Sequence, residues 1–393
     1  MGLGEDGPEG LSPASREALE GAELLAGARR HLALLDGLPG LAAERLEWPV
    51  PFAEGVAQLL AYRGRRVVML ASGDPFWFGA GTVLAGHLAP GEWRALPGPS
   101  SFSLAAARLG WGLEGVHCLG LHAAPLGRLR PHLRPGARFL VLLRDGEAVP
   151  ELMRYLRAHD FGASQLHIME ALGGSRERIR PLRADAAPLL DVVHPVAVAL
   201  DVAGEGMVLP RASGLPDSLF QHDGQITKRP VRALALSALA PRGGELLWDI
   251  GAGSGSISIE WLLADATNCA IAFEQDAPRA ARARANAGAL GAERLELVEG
   301  AVPSVLEGQP LPDAVFIGGG LSAPLLTRLW ALIKPGTRLV AHAVTLESEA
   351  LLAEWQGRHG GSLLRIELSE AQPLGRRRGW RAAYPVVQWS VAR

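Results

Sequence analysis

The stretch Leu246-Leu247-Trp248-Asp249-Ile250-Gly251-Ala252-Gly253-Ser254-Gly255-Ser256 constrains this chain more than any other part of it. An apolar run closes on an acid, three glycines follow at alternate positions, and Ser256 to Leu263 then reads as a helix. This is a strand, a tight turn and a helix start. Glycine is needed where the chain turns sharply and a ligand must come close to the backbone, because a Cβ would block the approach. The spacing is Gly-x-Gly-x-Gly, whereas the dinucleotide fingerprint is Gly-x-Gly-x-x-Gly, and Ser256 stands where that third glycine would be. This departure favours S-adenosylmethionine over NAD.

The residues around the turn alternate between strand and helix. Helix Pro230 to Leu239 precedes strand Glu245 to Ile250; strand Ala270 to Glu274, helix Pro278 to Ala289 and strand Leu295 to Glu299 follow. Strand Ala314 to Ile317, helix Ala323 to Leu332, strand Thr337 to Ala343, helix Glu347 to His359, and strands near Leu363 to Leu368 and Val386 to Val391 complete the half. Such alternation implies an α/β fold with a mostly parallel sheet covered on both faces, here a Rossmann-like sheet of seven strands whose last two are joined without a helix. The N-terminal half also alternates. Strand Val67 to Ala71 leads into Ser72-Gly73-Asp74-Pro75, and strand Trp93 to Leu96 into Pro97-Gly98-Pro99-Ser100-Ser101, where a serine can cap a helix running to Leu109. Further strands are expected at Phe139 to Leu143, Gln165 to Glu170 and Val196 to Asp201. At 393 residues two domains are expected, spanning residues 1–210 and 220–393, with a linker in the Gly- and Pro-rich stretch from Gly204 to Gly224.

Composition narrows the function. A formal net charge of -2 leaves no electrostatic footprint for nucleic acid, which is therefore not an expected partner. No apolar run approaches the ~20 residues needed to cross a bilayer, so no membrane association is expected. Cys118 and Cys269 lie far apart without metal-ligand company, which fits a reducing compartment and no metal site. The expectation is a soluble cytoplasmic protein.

In an open α/β sheet, ligands bind beyond the carboxyl ends of strands where strand order reverses, which places Gly251 to Gly255 at the pocket and Asp249 just before it. Glu274 ends the next strand, about 20 residues on, where a carboxylate accepts hydrogen bonds from ribose hydroxyls. Ala301, after the third strand, replaces the acid that commonly bonds an adenine amino group, so adenine recognition falls to backbone and apolar contacts at Ala301 and Val302. Gly318-Gly319-Gly320 follows the fourth strand, in place of the Asn/Asp-Pro-Pro-aromatic element of nucleic-acid amino-methyltransferases. Three glycines leave room for a large acceptor against the methyl donor.

Gln225-Ile226-Thr227-Lys228-Arg229-Pro230-Val231-Arg232, the turn from Asp249 to Gly255, Phe316-Ile317-Gly318-Gly319-Gly320 and Val344-Thr345-Leu346-Glu347 together resemble the C-terminal domain of the precorrin-6Y C(5,15)-methyltransferases (decarboxylating) of the cobalamin pathway. Gly4-Glu5-Asp6-Gly7, Ser72 to Pro75 and Pro97 to Ser101 resemble the tetrapyrrole (corrin/porphyrin) methylases. The resemblance covers essentially the whole chain. It implies one S-adenosylmethionine site per domain, methylation of precorrin-6B at carbon 5 by the N-terminal domain, and methylation at carbon 15 with loss of a ring C acetate carboxylate by the C-terminal one, giving precorrin-8X. It further implies that Thr227, Asp249, Gly251, Ala252, Gly253, Ser254, Gly255, Glu274, Ala301 and Val302 hold the C-terminal donor, and that Gly73, Asp74, Pro75, Ser100 and Ser101 line the N-terminal cleft. One departure stands out. The family has an apolar strand before its Gly-x-Gly-x-Asp-Gly turn, whereas here Gly2-Leu3-Gly4 follows Met1 directly, so either the start lies upstream or that strand is lost.

Methyl transfer to a meso carbon needs alignment and exclusion of water rather than a nucleophile. Decarboxylation needs an apolar pocket and a group that handles protons, for which His342, Thr345 and Glu347 are the candidates, against the plainer readings of a strand residue and a helix cap. A tetrapyrrole substrate carries several carboxylates. Arg376, Arg377, Arg378 and Arg381, near Trp380 in the loop before the last strand, could bind them, as could Arg29, Arg30 and His31; a solvated basic loop is the competing reading. A homo-oligomer is the expected assembly. Two other functions stay open: methyl transfer to another small molecule or RNA, and a tetrapyrrole-binding scaffold without turnover.

Overall fold

The computed structural model describes residues 1–393, which pack as two units, Met1–Ala124 with Arg134–Met207, and Pro125–Leu133 with Val208–Arg393. In the N-terminal unit, strands β1 (Gly2–Leu3), β2 (Leu24–Gly27), β3 (Glu44–Glu47), β4 (Val67–Met69) and β5 (Ala71–Ser72) alternate with helices α1 (Pro13–Glu20), α2 (Arg29–Ala33), α3 (Phe52–Leu60) and α4 (Ala80–Ala85). Pairing is parallel, β3-β2-β4 in one ladder and β1-β5 in another. Helix α5 (Ser101–Leu109) then leads to β6 (Val116–Gly120), β7 (Arg138–Leu143), α6 (Ala148–Ala158), β8 (Gln165–Glu170), β9 (Arg178–Arg183) and β10 (Val196–Asp201). These last strands form one sheet in the order β6-β7-β10-β8-β9, against which α5 packs Phe102, Ala105 and Ala106.

The C-terminal unit contains α7 (Arg229–Leu239), β11 (Leu246–Ile250), α8 (Ser256–Ala264), β12 (Cys269–Glu274), α9 (Ala277–Leu290), β13 (Glu296–Glu299), β14 (Ala314–Ile317), α10 (Ala323–Leu332), β15 (Arg338–Ala343), α11 (Leu346–His359), β16 (Ser362–Ile366), β17 (Ser369–Leu374), β18 (Arg377–Ala382) and β19 (Val386–Ala392). Seven of these strands make one Rossmann-like sheet, ordered β13-β12-β11-β14-β15-β19-β16, parallel except for β19. The apolar runs of the central strands are explained by burial on both faces. Leu247 and Phe316 face α7, α8 and α9, while their neighbours Trp248, Val315 and Ile317 face α10 and α11 across Leu329, Leu352 and Trp355. Strand order reverses between β11 and β14, so the loops after these two strands flank the crevice.

Several expectations are corrected. The first strand is present, because Gly2–Leu3 pairs with Ala71–Ser72. Trp93 to Leu96 is not a strand; its tie to β1 is one hydrogen bond, from Gly2 N to Leu96 O at 2.8 Å, and a two-residue neighbour offers no ladder to extend it. The supposed linker is not a free joint, since Leu209, Leu215 and Phe220 are buried in the core beneath α7 and α8. The basic loop before the last strand is the hairpin β17-β18, with Arg377, Arg378 and Arg381 on a strand and Trp380 79% exposed. No helix of the chain is long and apolar enough to cross a membrane.

What pins the former linker is Arg232. Its guanidinium is fully buried, with Nε on Glu260 Oε1 at 2.6 Å and Nη1 on Asp217 Oδ1 at 3.0 Å, and it also donates to the carbonyls of Leu215 and Thr227. Glu260 in turn accepts from the backbone N–H of Gly214 at 2.5 Å and Leu215 at 2.9 Å. Both charges are therefore compensated inside the protein. Replacing one partner alone leaves the other buried and unpaired, at a cost of about 3 to 5 kcal/mol. Arg232→Leu is expected to lower unfolding free energy in denaturant by that amount, and the double change with Glu260→Leu to cost less than the sum of the two single changes, since each also bonds backbone groups; additive losses would refute the pairing.

Candidate active sites in the two units

The glycine turn owes its shape to backbone crowding. Gly251, Gly253 and Gly255 all have positive φ, at +71°, +59° and +73°. A Cβ on Gly251 would lie 2.7 Å from the backbone of Gly319, so the turn after β11 and the loop after β14 meet backbone to backbone. A Cβ on Gly318 would strike the Phe316 ring at 2.8 Å, whereas Gly320 is looser, 3.5 Å from Val302. The close approach therefore demands glycine at 251, while a Cβ on Gly319 would meet Gly251 at an ordinary 3.6 Å, and within the triple glycine Gly318 is the position that is crowded. Gly253 differs: a Cβ there would meet only the Gln225 carbonyl, at 4.0 Å. Of the three turn glycines it is the one with room for a side chain beside it.

Carboxylates brace the turn from behind. Glu274, 5% exposed at the end of β12, accepts from Gly253 N at 2.8 Å through Oε2 and from Asp276 N at 3.0 Å through Oε1. Asp249 is buried; its Oδ2 accepts from Ser258 Oγ at 2.6 Å and Ser258 N at 3.2 Å, while Oδ1 and the neighbouring Ser254 Oγ have no partner. Burial, with the nearby charge of Glu274, pushes the Asp249 carboxyl up to about 6 against the pull of Ser258. Ala252 lies in the turn, its N–H on Phe273 O at 3.2 Å. Ala301 and Val302 follow β13, with Ala301 O accepting from Ser304 Oγ at 2.6 Å. Thr227 is half-buried just before α7 and gives its carbonyl to Arg232.

The proposed proton-handling residues are less alike than their spacing suggests. His342 is half-buried on β15, its Nε2 3.0 Å from Gln388 Oε1 and its ring edge-on to Phe316; burial lowers its pKa, so it is neutral near pH 7. Thr345 is the N-cap of α11, its Oγ1 accepting from Ser348 N at 3.3 Å, and Glu347 is exposed in the first turn. Arg376, Arg377, Arg378 and Arg381 are all exposed around the hairpin, Arg381 reaching only Gln372 Oε1 at 3.4 Å. Sequence reasoning missed Ser258 and Asn286, which carry no motif, and gave Arg232, the last residue of the Gln225 to Arg232 segment, no role of its own: each acts through burial and the partners the fold brings to it.

In the N-terminal unit a cavity of about 580 Å³ is lined by Ser72, Gly73, Asp74, Ser100 and Ser101. Gly73, at φ +53°, is required because a Cβ would lie 2.7 Å from Pro99 O. Ser100 is largely spent as the N-cap of α5, accepting from Ser103 N at 3.0 Å, and Asp74 Oδ1 accepts from Phe76 N at 2.8 Å. Pro75 lines a separate cavity of about 790 Å³ with Phe76 and Trp93. His31, on the cleft wall, has Nε2 2.9 Å from Ser72 Oγ and 2.8 Å from Arg30 Nη2, while Arg30 pairs with Glu5. A guanidinium only donates, so Nε2 accepts and the imidazole is neutral. Burial, then the charges of Arg30, His194 and the terminal amino group, push its pKa down to about 3.

The unfolded chain, with an ordinary histidine pKa of about 6.5, binds more protons than the folded one between that value and about 3. The stability contributed by neutral His31 is therefore present above about pH 6.5 and lost as pH falls. The thermal midpoint is expected to drop more steeply between about pH 7 and pH 5 in the wild type than in His31→Gln; parallel curves would contradict this.

Residues 1–188 match the family described as Tetrapyrrole (Corrin/Porphyrin) Methylases and residues 218–393 the Precorrin methyltransferase domain. A Sinorhizobium protein named precorrin-6Y C(5,15)-methyltransferase (decarboxylating) is 49% identical over 394 residues, covering 99% of this chain and 95% of that protein. A Mycobacterium tuberculosis protein of the same name is 40% identical over 399 residues, covering 100% and 99%. A solved C-terminal domain of precorrin-6Y C5,15-methyltransferase from Rhodobacter capsulatus is 55% identical, spans 47% of this chain and 100% of that one, and has a TM-score of 0.46. With both domain families in one chain and near end-to-end identity to these relatives, the chain belongs to the precorrin-6Y C(5,15)-methyltransferase (decarboxylating) family.

Proposed function

We propose that this chain methylates a precorrin, the expected substrate being precorrin-6B, at carbons 5 and 15 and removes one acetate carboxylate on ring C, with S-adenosylmethionine as donor in each domain. The observation that carries the reading is the glycine turn at the switch point, open above Gly253 and braced by Glu274, in a chain that matches two-domain relatives over nearly their whole length. Residues 1–210 would carry the carbon 5 methylation and residues 220–393 the carbon 15 methylation with decarboxylation.

When bound, the sulfonium donor supplies an activated methyl group. The protein's work is to hold donor and meso carbon in line, an effect that can be worth ~7 to 11 kcal/mol. Backbone N–H groups of the turn, the Glu274 carboxylate and the Ala301-Val302 backbone would seat the adenosine. Asp249 would act from behind, through Ser258 and α8. In the N-terminal cleft the corner of exposed Ser72, buried Gly73 and half-buried Asp74, with Ser101, would take the same role. Electrons released by decarboxylation can enter the conjugated macrocycle, and the carbon that loses carbon dioxide must gain a proton; His342, neutral at rest, would relay one to it from water, with Thr345 and Glu347 fixing the start of α11. Gly318 to Gly320 would face the macrocycle, and Arg376, Arg377, Arg378 and Arg381 would meet its carboxylates from the exposed hairpin.

Mass spectrometry of the product formed from precorrin-6B with excess donor tests this directly. Two methyl groups gained and one carboxyl lost as carbon dioxide are expected. Methyl gain without decarboxylation, or no turnover with bound donor, would overturn the assignment.

A further inference from the structure

We propose that Gln221 to Gln225 forms a strap over the C-terminal donor pocket, and that Asp223 is the positioning residue that latches it shut. The proposal rests on the reading that the glycine turn holds the methyl donor. The strap faces that turn, since the Gln225 carbonyl is the one group within 4.0 Å of a Cβ placed on Gly253.

Two attachments of different character hold the strap to α9. The inner one is Asn286, 1% exposed. Its Nδ2 donates to Gln221 O at 3.0 Å and to Ser254 O at 2.9 Å, and its Oδ1 accepts from Gln221 N at 2.8 Å. One buried amide thus ties strap, glycine turn and helix together, and its partners fix which atom is nitrogen. The outer attachment is ionic. Asp223 Oδ2 accepts from Arg279 Nε and Arg282 Nη2, both at 2.9 Å, while Arg279 Nη2 also donates to Gln225 Oε1 at 2.9 Å. Asp223 Oδ1 accepts from Gln225 N at 3.1 Å, which bends the strap inward. Between these points Gly224 sits at φ +97° with nothing near its Cβ position.

The difference in burial decides what each attachment does. Breaking the Asn286 bonds would leave buried polar groups unpaired, so that end stays closed as part of the fold. Asp223 is 32% exposed, its two arginines are 31% and 28% exposed, and water and salt can replace these contacts at little cost. The strap can therefore open from its Asp223 end while remaining anchored at Gln221. A closed latch confines the donor and, after transfer, the spent donor.

The test measures inhibition of the full chain by S-adenosylhomocysteine, scoring methylation at carbon 15 and at carbon 5 separately by NMR with 13C-methyl-labelled donor. Asp223→Ala should raise the inhibition constant for carbon 15 methylation about fivefold, as expected for two exposed ion pairs, and leave that for carbon 5 methylation unchanged. Arg282→Gln should fall between, and Asp223→Glu should restore most of the loss. Raising salt from ~0.05 to ~0.5 M should weaken inhibition of the wild type but not of Asp223→Ala, a response that general loosening of the fold would not produce. An unchanged constant in Asp223→Ala, or equal shifts in both activities, overturns the latch. Absence of any inhibition of carbon 15 methylation in the wild type would instead remove the donor-pocket reading on which it rests.

Discussion

A side chain on Gly251 would lie 2.7 Å from the backbone of Gly319, and the arrangement of the C-terminal crevice follows from keeping that contact free. Because the turn after β11 and the loop after β14 touch through backbone alone, the two strands on either side of the switch point can present their ends to one space. Glu274 then fixes the height of the turn through Gly253 N, and Asn286 fixes its far side through Ser254 O. The crevice is in this sense a backbone surface, with side chains recruited to hold the backbone in place.

Charge is handled in two ways around that surface. Arg232 and Glu260 are buried together and satisfied on every side, so they act as a fixed joint that ties Gly214 to Asp217 and Thr227 to the core. Asp223, Arg279 and Arg282 are half-exposed and exchange with solvent. Permanent and exchangeable attachments on the same segment let one stretch of chain be both part of the domain and able to move at one end. The N-terminal cleft uses neutrality instead: His31 gives up its charge in exchange for burial beside Arg30.

The strand, turn and helix around Gly251, and the seven-stranded sheet behind them, were legible because they depend on local patterning: apolar runs of strand length, glycines at positive φ, helix caps at Ser100 and Thr345. The division between the units does fall within Gly204 to Gly224, at Met207 and Val208, but that the rest of this stretch is core of the second unit was not legible, because Leu209, Leu215 and Phe220 lack periodicity and gain meaning only from Arg232 and α8. The hairpin β17-β18 was invisible because nothing in Ser369 to Ala382 alternates cleanly between apolar and polar. Asn286 was missed for a related reason: a single asparagine on a helix carries no signal until its three partners, 32 and 65 residues away in sequence, are brought to it.

Gly253→Val in the full chain addresses the donor site most directly, because this glycine alone in the turn faces open space and a branched side chain there would occupy it. With precorrin-6B and excess donor, the variant is expected to lose the carbon 15 methyl group while still adding the methyl group at carbon 5. Wild-type levels of decarboxylated, twice-methylated product from a folded Gly253→Val protein would contradict the placement of the donor at the glycine turn.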